Sequence, residues 1–161
     1  FRHHEVVGAK MTKRILKELK FDKKTIKDVA QLVELHLRPH TFKMGWTDSA
    51  VRRYIVDAGE VLDDLNNLVR ADVTTKNKQK AQEIYDKLDE MENRIKEVLE
   101  KEEMSKLRPP ISGDEIMKIF NLEPGPKVGI IMKALYEQRI NDGEVSKDDA
   151  IKLAEEVFKN L

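Results

Sequence analysis

Residues 77–104 read NKQKAQEIYDKLDEMENRIKEVLEKEEM, and this stretch decides the fold class. Its apolar residues recur at alternating spacings of three and four, which puts them on one narrow stripe of a helix. Charged side chains occupy the other faces. The spacing therefore predicts one long helix that packs against a single partner element in the manner of a coiled coil. The stripe consists of Ala81, Ile84, Leu88, Met91, Ile95 and Val98.

The residues before this helix also show helical spacing. A first helix is predicted to end at Phe21, with Asp22 capping a second helix that stops before Pro39. Residues 38–46 are predicted to form a loop. Thr47 then caps a third helix that ends at Gly59, and a fourth helix runs to about Asp72.

Pro109 and Pro110 end the long helix, and two capping boxes follow them. Residues 112–115 (SGDE) start one helix and residues 146–149 (SKDD) start another. A third helix lies between them, from the turn at residues 122–129 to about Ile140. The last segment is therefore predicted to be a small three-helix unit.

Strand signals are absent, because no alternating run of β-branched residues is flanked by hairpin turns. The predicted fold class is all-α: a multi-helix bundle, a long connecting helix and a three-helix tail. The predicted boundaries place the bundle at residues 1–75, the connecting helix at 76–108 and the tail at 109–161.

The composition excludes several kinds of site. The 161 residues contain no cysteine, so neither disulfides nor thiolate metal ligands can form. No apolar run approaches the roughly 18 residues of a membrane span, and we expect no signal peptide. We expect a cytoplasmic location and no membrane partner. Because the chain opens with Phe1 inside a helical pattern, we expect it to be part of a longer protein.

The formal net charge is zero but unevenly spread. Residues 1–43 carry 11 basic and 5 acidic residues, a net charge of +6, which would attract phosphates. Within the first helix we expect the cations to encircle the axis and not to share a face. The alternative is a solvated lysine-rich surface without a ligand. The cations along the predicted first helix are Lys10, Lys13, Arg14, Lys17 and Lys20.

Two further groups of residues could bind phosphate. In PGPKVG (residues 124–129), Pro126 suits a first helical turn, and Gly125 supplies backbone freedom. Free amides beside Lys127 would then form an anion pocket at a helix N-terminus, and Gly129 would let the helix approach its neighbour closely. The alternative is a tight turn with no ligand.

Arg52 and Arg53 lie on a predicted helix close to Trp46, and arginine with an aromatic ring can bind phosphate and stack on a base. The alternative is that Trp46 and Tyr54 belong to the core and that the arginines pair with nearby aspartates.

The histidines are the remaining candidates for metal binding, since imidazoles and carboxylates hold metals that activate water. Spacing alone favours ordinary surface histidines.

Five motifs resemble the C-terminal half of bacterial tRNA nucleotidyltransferases (CCA-adding enzymes) of the poly(A) polymerase family, especially the actinobacterial type. They are FRHHEVVGAKM, LVELHLRPH, WTDSAVRRYIVDAG, LVRADVTTKN and the tail ISGDEIMKIFNLEPGPKVGIIMKALYEQRINDGEVSKDDA. The resemblance covers nearly the whole chain, with the motifs in the family's order. It implies an all-helical region that grips tRNA while a catalytic head, absent from this chain, adds nucleotides. Mg²⁺ and CTP or ATP would belong to that head, and no cofactor is expected here.

The resemblance also implies an HD-like metal phosphohydrolase pattern in the first half. On that pattern His4, His36 and Asp72 match the later metal ligands and form a partial set for a divalent cation.

Three interpretations of the function follow. The leading one is a tRNA-binding and positioning region, with tRNA contacts from Lys13, Arg14, Lys17, Arg52, Arg53, Gly125 and Lys127. The second is an HD-type metal-dependent phosphohydrolase module. The third is a helical interaction module that forms a homodimer through the stripe at residues 81–98.

Overall fold

The structure, a computed structural model, describes residues 4–101 and 108–161, apart from the side chains of residues 43 and 44. Within these ranges the chain forms helices and no strand, which confirms the all-α fold class. No helix in the described ranges is long and apolar enough to cross a membrane. Two 3-10 helices flank α3 in sequence, at Arg38–Met44 and Gly59–Val61. The α-helices are α1 (His4–Glu18), α2 (Lys23–Leu35), α3 (Asp48–Ala58), α4 (Leu62–Ala71), α5 (Lys78–Lys101), α6 (Gly113–Phe120), α7 (Pro126–Asp142) and α8 (Lys147–Lys159).

The predicted caps fix where α2 and α6 begin. Asp22 Oδ1 accepts hydrogen bonds from the backbone N–H groups of Lys24 at 2.9 Å and Thr25 at 3.0 Å. Ser112 Oγ accepts from the Glu115 N–H at 3.2 Å, and Glu115 Oε2 accepts from the Ser112 N–H at 2.9 Å. These bonds satisfy N–H groups that no helical carbonyl can reach, so both predicted caps are confirmed.

The prediction of a loop at residues 38–46 is wrong for most of the segment, because Arg38–Met44 forms a 3-10 helix. Pro39 lies in its first turn, where the ring's fixed φ is suitable and no N–H is needed. Phe42 is buried, so the segment is attached to the core. Gly45 ends the helix with φ 74°, and its N–H donates to the Phe42 carbonyl at 2.8 Å.

Two compact units divide the chain. The first contains residues 1–47 and 53–96, and the second contains residues 48–52 and 97–161. The predicted three-part division into bundle, connecting helix and tail stays a prediction.

In the first unit, α1 packs closely against α2. Ala9 is buried, and a Cβ added to Gly8 would lie 3.1 Å from Val33 Cγ1. Tyr54 is buried as well, and its hydroxyl donates to Asn66 Oδ1 at 3.0 Å. Burial raises the pKa of the Tyr54 hydroxyl. The half-buried Trp46 ring lies 5.1 Å from the Tyr54 ring, so these two aromatics form part of the core and its edge.

The long helix α5 presents its predicted stripe to the interior. Four stripe residues are buried, and Ala81 and Ile84 are half-buried. Beside the stripe, the Arg70 guanidinium of α4 donates to Glu92 Oε1 at 2.8 Å and to the Asp89 carboxylate. The stripe is therefore used for packing within the chain. The four buried residues are Leu88, Met91, Ile95 and Val98.

The second unit holds the predicted three-helix tail, α6 to α8, around its own apolar core. The rings of Phe120 and Phe158 lie 4.7 Å apart between centroids. Lys147 Nζ donates to Glu115 Oε1 at 2.7 Å, which links the first turns of α8 and α6. This bond is the main reason that the pKa of Glu115 falls to about 2. The core residues are Ile111, Ile116, Ile131, Leu135, Ala150 and Ala154.

Candidate nucleic-acid interface

Four cationic side chains share one exposed face of α1, which we call the α1 basic face: Lys10, Lys13, Arg14 and Lys17. At 3.6 residues per turn they fall within an arc of roughly 100° around the helix axis. The expectation that the cations of this helix encircle it is therefore wrong for these four. Lys20 lies beyond α1, with φ 60°.

The α1 basic face is not neutralised by its neighbours. In the part of the chain that the structure describes, no acidic side chain forms an ion pair with Lys10, Lys13 or Lys17. Arg14 Nε lies 3.9 Å from Glu18 Oε1, with both side chains 70% exposed, so water screens this pair. The face therefore combines free cations with high exposure, which is what contact with backbone phosphates requires.

Arg52 does not lie where the sequence prediction requires. It is only 8% exposed, and its Nη1 donates to the carbonyl oxygens of Ile140 at 3.0 Å and Asn141 at 3.4 Å. These carbonyls end α7, where the helix dipole favours a cation. The guanidinium is thus enclosed within the second unit, and RNA binding by Arg52 stays a prediction without support from this geometry. Arg53 is half-buried and already interacts with other residues of the chain.

At the start of α7, the roles expected for Gly125 and Gly129 are both wrong. Gly125 has φ 176°, an extended backbone open to any residue, and a Cβ there would meet only the Glu123 carbonyl oxygen at 3.8 Å. A Cβ on Gly129 would meet nothing within 4 Å, so no close helix approach requires this glycine. Pro126 does occupy the first turn as predicted, and Gly125 and Lys127 are exposed. Their contact with RNA stays a prediction.

The predicted metal ligands are only partly brought together. The rings of His4 and His36 meet edge to face with centroids 5.9 Å apart, and His36 Nδ1 lies 2.6 Å from the Val33 carbonyl oxygen. Asp72 is exposed at the end of α4. Within residues 4–101 and 108–161, no group of three or more His, Cys, Asp or Glu side chains converges. Glu5 Oε2 lies 4.0 Å from His4 Nδ1, but two imidazoles without a converging third ligand do not fit an HD-type centre, so we assign no metal chemistry to them.

One polar cavity in the first unit was not predicted from the sequence. Its volume is about 270 Å³, and an ion pair between Arg38 and Asp57 lies in its wall. The two residues are 19 positions apart, so no local motif indicates the pairing. The lining residues are Gln31, Glu34, Leu35, Arg38 and Asp57.

Comparison with known proteins identifies the family. A family model described as tRNA nucleotidyltransferase domain 2 matches residues 5–154. The chain belongs to this family. The motif resemblance found in the sequence is therefore confirmed at the level of the family.

Two curated relatives of this tRNA nucleotidyltransferase domain are longer than the chain. The chain is 33% identical over 141 residues to the A-adding tRNA nucleotidyltransferase of Deinococcus radiodurans, a match that covers 86% of this chain and 31% of the relative. It is 31% identical over 151 residues to the CC-adding tRNA nucleotidyltransferase of Thermus thermophilus, covering 93% of this chain and 32% of the relative. The chain thus spans about a third of the length of these relatives. No solved structure matches it.

Proposed function

We propose that this chain is a tRNA-binding and positioning region of a tRNA nucleotidyltransferase, and that it holds tRNA while nucleotides are added to the 3′ end. The observation that carries the proposal is the α1 basic face in a chain of this family. When the RNA is held in place, its terminal hydroxyl and the incoming nucleotide react as an effectively unimolecular pair. This positioning lowers the activation barrier for nucleotide addition. The catalytic head, with Mg²⁺ and CTP or ATP, would lie outside these residues.

The proposed contact is with RNA phosphates and carries little sequence preference. Lysine side chains on a helix surface recognise backbone charge, whereas base edges are read by residues held in fixed geometry. Four cations within one arc can follow a curved strand of phosphates over the roughly 10 Å between Lys10 and Lys17. Lys127 and Gly125 would add a separate phosphate contact at the N-terminus of α7.

Two finer assignments belong to this proposal. Likeness to the actinobacterial type and the HD-like character of the first half both come from the sequence motifs. A cytoplasmic location is proposed because tRNA, the proposed partner, is processed there, and tRNA nucleotidyltransferases are the matched relatives.

The alternatives have less support. A phosphohydrolase module needs a third metal ligand beside His4 and His36, and the described residues place none there. A homodimer through residues 81–98 needs that stripe exposed, but Leu88, Met91 and Ile95 are each at most 5% exposed.

The test is a salt titration of tRNA binding with the double variant Lys13→Gln/Lys17→Gln. If the α1 basic face contacts phosphates, the slope of log affinity against log salt should fall by roughly one per lysine, and affinity at low salt should drop about tenfold or more. Both lysines are exposed, so the fold should be unaffected, which far-UV circular dichroism will check.

The matched control is Lys96→Gln/Lys101→Gln, which removes two exposed lysines from α5, where acidic residues balance the basic ones. This control should bind tRNA as the wild type does. Equal losses in the two double variants would mean that net charge alone matters. An unchanged slope in Lys13→Gln/Lys17→Gln would remove the α1 basic face from the interface.

A further inference from the structure

A second face of α1 is apolar and exposed. Val7, Met11, Ile15 and Leu19 follow one another at intervals of four residues, and their exposed fractions are 55%, 49%, 43% and 64%. Leu19 lies just after α1, but its N–H still donates to the Ile15 carbonyl at 2.9 Å, so the row continues through the last turn. We call these four residues the α1 apolar row. It is roughly 18 Å long.

The α1 apolar row is distinct from the side of α1 that packs inward. Ala9, which is buried, and Leu16, which is half-buried, lie on another side of the helix, whereas Gly8, where an added Cβ would meet Val33 of α2, lies beside Ile15 at the border of the row. Single exposed apolar residues are ordinary on protein surfaces, but a contiguous row of large ones marks a surface that is covered in function. Spacing of four along a helix is the pattern by which another helix is recognised.

Charge decides which kind of helix fits. The α1 basic face adjoins the α1 apolar row, with Lys10 and Arg14 at the shared edge. Glu18, the acidic residue near this edge, lies 3.9 Å from Arg14. In an antiparallel two-fold pair the same edge of each helix meets itself, so two copies of α1 would bring cations against cations. The charge pattern therefore disfavours an antiparallel pair with a second copy of this chain.

We propose that the α1 apolar row is a docking surface for an amphipathic helix whose own apolar face is flanked by carboxylates. Leucine-sized side chains of the partner pack between Val7, Met11 and Ile15, and its acidic residues lie against Lys10 and Arg14. The proposed helix contact shares Lys10 and Arg14 with the proposed RNA contact, whereas Lys13 and Lys17 project further round the helix and belong to the RNA contact alone.

The experiment uses a fluorescein-labelled synthetic peptide of about 20 residues, long enough to form a helix, with leucine at every fourth position and glutamate on the flanking positions. A comparison peptide carries lysine in place of each glutamate. Binding is measured by fluorescence anisotropy with the whole chain. The glutamate peptide should bind at least about tenfold tighter than the lysine peptide, because only the former complements the cations.

The double variant Met11→Gln/Ile15→Gln should lower affinity for the glutamate peptide by about tenfold or more, since both leave the apolar contact. Both positions are about half exposed, so helicity should stay the same. The matched control is Ile130→Gln on α7, where the isoleucine is 48% exposed, and it should bind like the wild type. Binding of tRNA should be the same in all three proteins.

Three outcomes would overturn the proposal. Equal affinity for the two peptides would show that charge does not select the partner. A dimer in analytical ultracentrifugation that is lost in Met11→Gln/Ile15→Gln would make the occupant a second copy. Binding to phosphatidylserine vesicles, lost in the same variant, would make the α1 apolar row a lipid contact.

Discussion

Replacing Gly143 by alanine should destabilise the second unit strongly, although alanine is the smallest possible addition. Gly143 is buried and has φ 78° and ψ −130°, a conformation that side chains rarely adopt. An added Cβ would lie 2.8 Å from Arg52 Nη2 and 3.2 Å from Arg52 Cζ. The tip of an arginine normally moves aside, but this guanidinium is enclosed and bonded to the Ile140 carbonyl.

The loss of stability expected for Gly143→Ala has two sources, which are backbone strain and the displacement of Arg52. Holding alanine at this φ and ψ costs about 1–3 kcal/mol. Displacing Arg52 from the α7 carbonyls weakens charge-assisted hydrogen bonds worth about 1.5–3 kcal/mol. Alanine also lowers the conformational entropy of the unfolded chain, which offsets less than about 1 kcal/mol of this loss. The expected loss in the free energy of unfolding is therefore about 2–5 kcal/mol.

A double-mutant cycle separates the two parts. Urea unfolding followed by far-UV circular dichroism is measured for Gly143→Ala, Arg52→Ala and the double variant, at pH 7. Arg52→Ala removes the guanidinium, so in that background Gly143→Ala should cost only the backbone part, about 1–3 kcal/mol. If the two changes are additive to within about 0.5 kcal/mol, Arg52 and Gly143 do not interact as the structure indicates.

Two further predictions test the tail. Gly129→Ala should stabilise the protein by about 0.5–1 kcal/mol, because a Cβ there meets open space on a helix and alanine is the better helix former; a loss of stability, measured by thermal unfolding, would restore the close approach predicted from the sequence. Because the pKa of Glu115 is lowered to about 2 by Lys147 and the Ser112 amide, its contribution should be complete above about pH 4.5 and should decline as the pH falls towards 2; Glu115→Gln should remove this part of the pH dependence of the urea midpoint, and identical profiles for wild type and variant would contradict it.

Local chemistry made much of the fold predictable. Asp22 and Ser112 are capping residues whose side chains act within three positions of themselves, and the α5 stripe repeats over several turns. The 3-10 helix at Arg38–Met44 was missed because Pro39 reads equally well as a loop signal. Asn77, whose Oδ1 accepts from the Lys80 N–H at 3.1 Å, was overlooked as the cap of α5.

The candidate site was harder to predict, because a sequence does not show which cationic side chains are bonded within the fold and which are exposed. Arg52 and Arg14 are the same residue type on helical segments, yet the former holds the end of α7 and the latter is exposed. The difference arises from Ile140, which is 88 residues from Arg52 along the chain. No spacing rule reaches that far. Only the arrangement of residues within the second unit decides it.

Three sides of α1 have three different surroundings, and this decides which substitutions can inform about function. The inward side is filled by α2, so a change at Gly8 reports stability. Arg14 lies where the α1 basic face and the α1 apolar row meet, so a change there would alter a phosphate contact and a helix contact together. Lys13 and Met11 lie on the far sides of that edge. Paired changes at those two positions are therefore the ones that separate a grip on RNA from the docking of a helix.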